Sequence, residues 1–398
     1  MIADVVSSIA AVPLSVADAY LLSLTLFSRR LAAVRPASSD LRFTVLVPAH
    51  DEEGGIAATV ENLFAIDYPK DRFSVVVIAD NCADETAVRA ERAGAKVIVR
   101  SDDERRGKGY ALAHAFELLA PEVDALVVVD ADTVVSPNLL SSFAACIESG
   151  ALAVQADYAV RNANASWRTR LMAIAFGAFH VLRSTARERL RVSSGLRGNG
   201  MCFTSKVLAL VPHEAFSIVE DVEYGIRLGE AGIRVHYAAD AHVYGEMVSS
   251  AKASRSQRQR WEGGRAALAK KHGWPLLRKG IARRDVVLLD LAADVLVPPL
   301  GTLAALASFG LVVAALCTYV VGEDVSLNIW IANLVAIALY VLRGWSLSGT
   351  GARGLLELGC APFYVGWKLW LRLRQPKTSD WVRTTREAPQ AASGNERR

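Results

Sequence analysis

The chain has 398 residues, a formal net charge of +4 and 52% hydrophobic residues. A mean hydropathy of +0.25 is high for a purely soluble protein, and the apolar excess lies at the two ends of the chain. No basic stripe is interleaved with aromatic residues, which argues against nucleic acid as a partner. The five cysteines form no C-x-x-C pair, so the sequence implies neither zinc nor a disulfide framework.

Residues 1–30 are expected to contain a first transmembrane helix. The stretch from Ile2 to Phe27 is mostly apolar and long enough to cross a hydrocarbon core of about 30 Å. Asp4, Pro13 and Asp18 weaken this prediction. Basic residues follow the stretch instead of preceding it, which argues against a cleaved signal peptide.

The C-terminal part contains two stronger candidate spans. Val295–Val321 and Leu327–Leu342 are apolar, and they predict a transmembrane hairpin over residues 285–345. Residues 354–372 are interrupted by charges and a proline and carry two tryptophans, which is typical of an interfacial or re-entrant helix. Residues 373–398 are expected to form a basic cytoplasmic tail.

The positions of lysine and arginine near the predicted spans indicate how the chain is oriented in the membrane. Residues 29–35, 278–284 and 372–377 are basic, whereas the link at 322–324 is acidic. Because basic segments stay on the cytoplasmic side, we expect a multi-pass protein of the inner (plasma) membrane. Its middle domain and its tail would then face the cytoplasm.

Residues 41–275 are predicted to form one α/β domain with a mostly parallel sheet. Apolar runs predict strands at Phe43–Val47, Phe73–Ile78, Lys96–Val99 and Leu126–Val129, and the stretches between them predict helices at Gly55–Phe64, Ala83–Ala93 and Lys108–Leu119. Alternating strands and helices indicate βαβ units. Ligands of such sheets bind outside the carboxyl ends of the strands, and polar residues follow three of the four predicted strands.

Asp130-Ala131-Asp132 follows the fourth predicted strand. Alternate side chains of a strand share a face, so we expect Asp130 and Asp132 to point the same way while Ala131 points away. Mg²⁺ and Mn²⁺ prefer oxygen ligands and are often held by one or two carboxylates together with substrate phosphates. The pattern therefore favours a metal clamp for a nucleotide diphosphate, although a solvated turn more often explains so short a motif by itself.

Other polar segments are candidates for the same site. Asp80 ends the second strand and could bind a ribose hydroxyl or a base, or it could be a helix N-cap. Lys108 lies in a glycine-containing basic loop before a helix, where it could bind phosphate or belong to a plain surface loop. Glu220 and Asp221 begin a predicted helix, so one could be a general base or both could simply favour the helix dipole.

Two further segments point to an acceptor. Gln257, Arg260 and Trp261 share one helix face, which suits stacking on a sugar and holding a diphosphate. An amphipathic helix at the membrane surface is the alternative. Residues 194–200 form a glycine-rich segment before the acidic helix, and it is either an acceptor loop or a connecting turn.

Taken in order, these motifs resemble the family 2 glycosyltransferases, in particular the membrane-integrated branch with cellulose, hyaluronan and poly-N-acetylglucosamine synthases. The matching segments are Val47–Glu53, Asp80, Asp130-Ala131-Asp132, Glu220-Asp221 and Gln257-Arg258-Gln259-Arg260-Trp261. Asp51 stands where the family commonly has asparagine. The resemblance covers residues 41 to 275.

The resemblance implies an inverting hexosyltransferase with a GT-A fold, which is Rossmann-like, flanked by transmembrane helices. The roles it implies are a nucleotide-sugar pocket of Ala49, Glu52, Asp80, Lys108 and Asp130, a Mg²⁺ or Mn²⁺ site of Asp130 and Asp132, the base Asp221, and an acceptor and diphosphate site of Glu220, Gln257, Arg260 and Trp261. His242 could add a metal ligand, but a structural histidine in a strand is the stronger expectation.

Three functions are compatible with these motifs. The prediction is transfer from a nucleotide-sugar, with UDP as the expected carrier, to a growing β-linked polysaccharide. Two or three spans make a narrow exit, so an export partner or a homo-oligomer stays open. The alternatives are a single transfer to a lipid acceptor, as in ceramide glucosyltransferases, and an inactive scaffold that binds nucleotide-sugar. Membrane lipid and a saccharide or lipid-linked acceptor are the expected partners.

Overall fold

The computed structural model describes residues 2–32, 38, 40–247, 262–322, 324–360 and 366. Its strands are β1 Phe43–Ala49, β2 Phe73–Asp80, β3 Lys96–Arg100, β4 Ala125–Val128, β5 Thr133–Val135, β6 Ala153–Val160, β7 Met201–Thr204 and β8 Val235–Gly245. Its α-helices within the middle domain are α2 Ile56–Phe64, α3 Thr86–Arg92, α4 Lys108–Leu119, α5 Leu139–Glu148, α6 Trp167–Phe176, α7 Arg183–Arg189, α8 Ser205–Leu210 and α9 Glu220–Glu230.

Helix α1, Ile2–Phe27, precedes this domain. The helices that follow it are α10 Trp274–Arg283, α11 Val286–Leu296, α12 Leu300–Val321, α13 Val325–Leu347 and α14 Gly351–Glu357. Residues 262–268 are also helical. Short π-helices cover Gly177–Leu182 and Ala269–Gly273, and 3₁₀ turns cover Ala120–Glu122 and Leu358–Cys360.

The eight strands form a single mixed sheet in the order β3-β2-β1-β4-β7-β6-β8-β5. Strands β3, β2, β1 and β4 are parallel, and β6 is parallel to β8. Strand β7 is antiparallel to both β4 and β6, and β5 is antiparallel to β8. The predicted α/β class with a mostly parallel sheet is confirmed.

Helices cover both faces of the parallel half, which explains why its strands are apolar throughout instead of alternating. Val45 and Val47 point to one face and pack in the same core as Leu63 of α2. Leu46 points to the opposite face and belongs to a second core with Leu112 of α4. The two cores fix the strand ends, and therefore the loops that follow them.

Most predicted elements of this half lie within three residues of the observed ones, but the fourth strand ends one residue earlier than expected. It ends at Val128, and the peptide NH of Thr133 donates to the carbonyl oxygen of Asp130 at 3.2 Å. Residues 130–132 therefore form a turn. The expectation that strand alternation puts Asp130 and Asp132 on one face is wrong for this reason.

Three helices are long and apolar enough to cross a membrane: Asp4–Phe27, Leu300–Val320 and Val325–Leu347. The second begins later than the predicted Val295, because α11 ends at Leu296 and prolines at 298 and 299 separate it from α12. Most of the predicted interfacial segment, 354–372, and all of the tail lie outside the described residues. The assignment of domains along the chain stays a prediction.

The candidate spans pack against each other and against the sheet domain. The indole NH of Trp330 on α13 donates to Oγ of Ser7 on α1 at 3.1 Å. A Cβ atom on Gly177 would lie 2.3 Å from the carbonyl oxygen of Gly344. Only glycine allows this approach, which joins the first π-helix, 177–182, to the C-terminal end of α13.

Candidate active site

The predicted nucleotide residues lie at the carboxyl edge of the parallel strands. Asp80 is the last residue of β2, and Asp130 follows β4 by two residues. Strand β1 lies between these two strands. With a spacing of about 4.8 Å per strand, the two ends are about 10 Å apart, which suits a base at one end of a nucleotide and its phosphates at the other.

Lys108 connects three segments of this edge. Its Nζ donates to Asp130 Oδ1 and to the carbonyl oxygen of Gly198, both at 2.5 Å, and lies 3.9 Å from Glu220 Oε1. Burial lowers the pKa of Lys108, but the carboxylates of Asp130 and Glu220 outweigh this effect and the pKa is raised. The ammonium group therefore stays charged among oxygen atoms from the turn after β4, from α9 and from the glycine-rich loop.

Glu220 and Asp221 begin α9 beside that loop. A Cβ atom on Gly198, whose φ is +79°, would lie 3.5 Å from Asp221 Oδ2. Burial raises the pKa of Asp221, against the lowering effects of a backbone NH and of Lys108. Burial likewise raises the pKa of Glu220 to about 7, with repulsion from Asp221 adding to it. Carboxylates with raised pKa are suited to general base catalysis near neutral pH.

The glycine-rich loop is held to the Asp130 turn by a buried asparagine. Asn199 Oδ1 accepts from the peptide NH of Asp130 at 3.1 Å, and its Nδ2 donates to Thr133 Oγ1 at 2.7 Å. Gln155 Nε2 donates to the carbonyl oxygen of Asn199 at 2.7 Å. The sequence predicted that this segment is either an acceptor loop or a connecting turn. It gave no signal that Asn199 would hold the loop to the Asp130 turn.

Asp80 is paired with an arginine that the sequence interpretation missed. Arg100 lies directly opposite it in register, and Arg100 Nη1 is 2.5 Å from Asp80 Oδ1. Arg100 Nη2 also donates to Asp102 Oδ2 at 3.0 Å and to the carbonyl oxygen of Arg105 at 2.7 Å. The pair thus fixes the loop that leads to α4. Arg100 ends β3, so the same strand-end argument that found Asp80 could have found it.

Ala49 and Glu52, the other predicted nucleotide residues, lie beside this pair. Ala49 is buried at the end of β1, and the peptide NH of Glu52 donates to Thr86 Oγ1 at 2.8 Å. Asp84 Oδ1 accepts from the peptide NH of Thr86 at 2.9 Å. Asp84 therefore supports the start of α3, and the interpretation of Asp80 as the N-cap is not supported.

His242 has a structural environment in β8. Its Nδ1 lies 2.9 Å from Asp157 Oδ2, and this hydrogen bond raises the pKa of the imidazole. Its peptide NH donates to Ser136 Oγ at 2.9 Å. The expectation of a structural histidine agrees with these contacts. Gln257, Arg260 and Trp261 lie outside the described residues.

The residues at the Asp130 turn suit a divalent cation. Asp130 and Asp132 offer half-buried carboxylates at the sheet edge, and oxygen is the ligand atom that Mg²⁺ and Mn²⁺ prefer. The cationic Nζ of Lys108 on Asp130 shows that this group of oxygens accommodates positive charge. Two carboxylates leave coordination positions for substrate phosphates.

Among the described residues, potential metal ligands also cluster at Asp51, Cys82 and Asp84. This cluster has another explanation. Asp51 Oδ1 accepts from the peptide NH of Ala83 at 2.7 Å, and the carboxylate of Asp84 supports α3. The cluster therefore connects the ends of β1 and β2.

Comparisons with known proteins agree with this geometry. The model for the family described as glycosyltransferase like family 2 matches residues 41–264, more than half of the chain. The chain belongs to this family.

Two curated relatives match the same part of the chain. The probable glycosyltransferase YdaM of Bacillus subtilis is 25% identical over 60% of this chain and 59% of its own length. The β-monoglucosyldiacylglycerol synthase of Synechocystis sp. is 31% identical over 55% of this chain and 47% of its own length. The chain thus spans about half of the length of these relatives.

A solved structure shows the fold. The mannosyltransferase PcManGT of Pyrobaculum calidifontis, in complex with GDP-Man and Mn²⁺, is 20% identical. It aligns over 85% of this chain and 98% of its own with a TM-score of 0.54. The predicted GT-A fold, with apolar helices at the N-terminus and in the C-terminal region, is confirmed.

Proposed function

We propose that this protein transfers a hexose from a nucleoside diphosphate sugar to a lipid acceptor at the cytoplasmic face of a membrane. In this proposal the reaction inverts the anomeric centre and needs Mg²⁺ or Mn²⁺. The observation that carries the proposal is Lys108, whose ammonium group joins Asp130, Gly198 and Glu220 into one site next to Asp221.

The donor would lie along the sheet edge. Asp80, held by Arg100, would bind the base or ribose in the pocket that Ala49 and Glu52 border. Lys108 would bind the diphosphate, and Asp130 with Asp132 would hold the cation. When bound, the cation would stabilise the negative charge that develops on the leaving diphosphate.

Asp221 would act as the general base. An acceptor hydroxyl placed at Gly198 would attack the anomeric carbon while its proton passes to Asp221, and the bond to the diphosphate would break on the opposite face. The raised pKa of Asp221 supports this role. Gln257, Arg260 and Trp261 stay predicted contacts of the acceptor and the diphosphate.

Two observations favour a lipid acceptor. The described chain offers three helices that could span a membrane, which is few for a polymer channel. The relative that is 31% identical is named for glucosylation of diacylglycerol. A growing polysaccharide, the prediction from the sequence resemblance, is the second candidate, and an export partner or a homo-oligomer belongs to that candidate.

The test is turnover by the full-length protein in detergent. UDP-sugars and GDP-mannose would be offered with Mn²⁺ or Mg²⁺ and membrane lipid extract, while nucleotide release and product size are measured. We expect one added sugar per acceptor, whereas a ladder of products would indicate the polysaccharide function. Nucleotide-sugar binding without any turnover would indicate the inactive scaffold.

Asp132→Ala is the test variant. Asp103→Ala is its matched control, because the side chain of Asp103 is exposed and lies outside the site. Loss of a cation ligand should lower release by at least about 100-fold, and Asp103→Ala should leave it unchanged. Release by Asp132→Ala at the wild-type rate would contradict the cation assignment.

A further inference from the structure

Charged side chains are buried between the glycine-rich loop and the candidate spans. We name them the arginine cluster, which consists of Arg183, Arg187, Arg197, Arg265, Asp290 and Asp294. Arg187 is fully buried, and Arg183, Arg197 and Asp294 are between 5% and 8% exposed. Burial of charge is costly unless the charges are paired. The ion pairs within the cluster therefore show whether any buried charge lacks a partner and could bind a ligand.

Both aspartates of the arginine cluster form ion pairs with arginines. Asp294 Oδ1 lies 2.8 Å from Arg183 Nη1 and 3.0 Å from Arg187 Nη2, and Asp294 Oδ2 lies 3.6 Å from Arg265 Nη2. Asp290 Oδ2 lies 3.1 Å from Arg187 Nε. Three guanidinium groups thus share two carboxylates. With Arg197 as the fourth arginine, the cluster has two positive charges in excess among the described residues.

Arg197 is the arginine of the cluster that is not paired with an aspartate. It has no carboxylate within 4.0 Å in the described part of the chain, and there its Nε has no hydrogen-bond partner. Its Nη2 donates to the carbonyl oxygen of Ser194 at 3.2 Å. Burial, together with repulsion from neighbouring arginines, lowers the pKa of Arg197 to about 10. An anion would relieve this unfavourable environment.

Three of the arginines converge on Phe179. The guanidinium carbons of Arg183, Arg197 and Arg265 lie 4.7, 4.6 and 4.9 Å from the ring centroid. The ring is half-buried, and the side chain of Arg265 is 23% exposed, so this side of the cluster reaches the surface. Guanidinium groups that converge in this way match the planar, multidentate hydrogen bonding of phosphate oxygens.

The glycine-rich loop connects this place to the proposed base. At one end of the loop, a Cβ atom on Gly195 would lie 3.6 Å from Arg187 Nη1 and 3.7 Å from the guanidinium carbon of Arg197. At the other end, a Cβ atom on Gly198 would lie 3.5 Å from Asp221 Oδ2. One end of a molecule bound along the loop would therefore contact Arg187 and Arg197, and its other end would contact the proposed base Asp221.

The candidate spans contact the other side of the arginine cluster. The hydroxyl of Tyr340 on α13 accepts from Arg183 Nε at 2.8 Å. The hydroxyl of Tyr20 on α1 accepts from Arg187 Nη2 at 2.6 Å. The cluster thus lies between the reacting edge and the helices that would face lipid.

We propose that the arginine cluster binds a phosphate group of the acceptor lipid and so holds the acceptor with its hydroxyl at Asp221. The inference rests on the proposed lipid acceptor and narrows it to lipids with a phosphate. The phosphate is not consumed, because the hydroxyl oxygen forms the glycosidic bond and its proton goes to Asp221.

The experiment measures binding to full-length protein in a neutral detergent with EDTA, which prevents cation-bridged binding at the Asp130 turn. Dioctanoyl phosphatidate and dioctanoylglycerol are the probes, since they differ only in the phosphate. Wild-type protein should bind the phosphatidate at least about tenfold more tightly, as expected for hydrogen bonds to a charged group. Equal affinity for the two probes would overturn the proposal.

Arg197→Gln is the informative variant, because removing Arg197 leaves no described carboxylate without its partner. It should lose about tenfold in phosphatidate affinity, and Arg197→Lys should recover part of the loss. Arg191→Gln, which changes an exposed arginine just before the same loop, is the control and should bind as wild type does. Wild-type phosphatidate affinity in Arg197→Gln would overturn the proposal.

Two further measurements separate the alternatives. Inorganic phosphate that binds as tightly as phosphatidate would assign the arginine cluster to soluble phosphate and overturn the lipid assignment. UDP binding with Mn²⁺ should be equal in wild type and Arg197→Gln. A failure of sugar transfer in the wild type would count against the proposed function, whereas the phosphatidate assay does not depend on turnover.

Discussion

The reacting edge and the arginine cluster have opposite charge imbalances. At the edge, Asp130, Glu220 and Asp221 act on the cation Lys108, and Asp132 follows Asp130 in the same turn. The cluster holds four arginines and two aspartates, and three of the arginines pair with the aspartates. The glycine-rich loop connects the two regions. Each region lacks the charge that a ligand would bring: a divalent cation with its diphosphate at the edge, and an anion at the cluster.

The two regions also differ in burial, and this predicts how each responds to substitution. The side chain of Asp130, which binds Lys108, is 32% exposed, whereas the side chain of Arg187 has no exposed surface. Removing a charge from the edge should change binding or catalysis and leave the fold intact. Removing one partner of a buried pair strands the other charge and should destabilise the protein.

The largest expected effect is that of Asp221→Asn at the reacting edge. Loss of a general base should lower kcat by about 10²- to 10⁴-fold, while the Kd for the nucleotide-sugar stays within about twofold of the wild type, because a carboxamide keeps the size of the side chain. Steady-state kinetics and equilibrium binding measure the two quantities. Glu230→Gln, at the other end of α9, is the control. A wild-type kcat in Asp221→Asn would contradict the assignment of Asp221 as the general base.

Arg187→Gln should have its effect on stability. It leaves Asp290 and Asp294 short of a partner in a buried position, which should lower the free energy of unfolding by about 3–5 kcal/mol. Thermal unfolding in detergent, compared with Arg191→Gln, measures the loss. A Tm equal to that of the wild type would show that the ion pairs of Arg187 with Asp290 and Asp294 do not stabilise the fold.

Arg100→Gln should have a smaller effect, on nucleotide binding. Without the guanidinium group, Asp80 loses its ion pair and the loop to Lys108 loses its anchor at Arg105. We expect about tenfold weaker UDP binding. Titration of UDP into the variant and into Arg92→Gln, an exposed arginine on α3, measures it. Equal Kd values would exclude Arg100 from the nucleotide site.

The sequence predicted the parallel half of the fold because its signals are local. Apolar runs marked β1 to β4, and the polar residues after them, Asp80 and Asp130, lie at the edge where the strand-end rule expects a site. Arg100 follows from the same rule. The place of β7, Met201–Thr204, between β4 and β6 depends on long-range pairing, which has no local signal.

The arginine cluster could not be predicted for a related reason. Arg183 and Arg187 are four residues apart, as are Asp290 and Asp294, so each pair is typical of a solvated helix face. Only the packing of α7 against α11 buries them together. Asn199 is similar, since its contacts with Asp130 and Thr133 come from chain segments about 70 residues away.

We propose that Asp130 and Asp132 hold a cation that binds the diphosphate of the donor. The most direct measurement is the affinity for UDP with Mn²⁺ and with EDTA, in wild type and in Asp132→Ala. We expect Mn²⁺ to tighten UDP binding at least about tenfold in the wild type and to have no such effect in the variant. Equal tightening in both proteins, or none in the wild type, would contradict it.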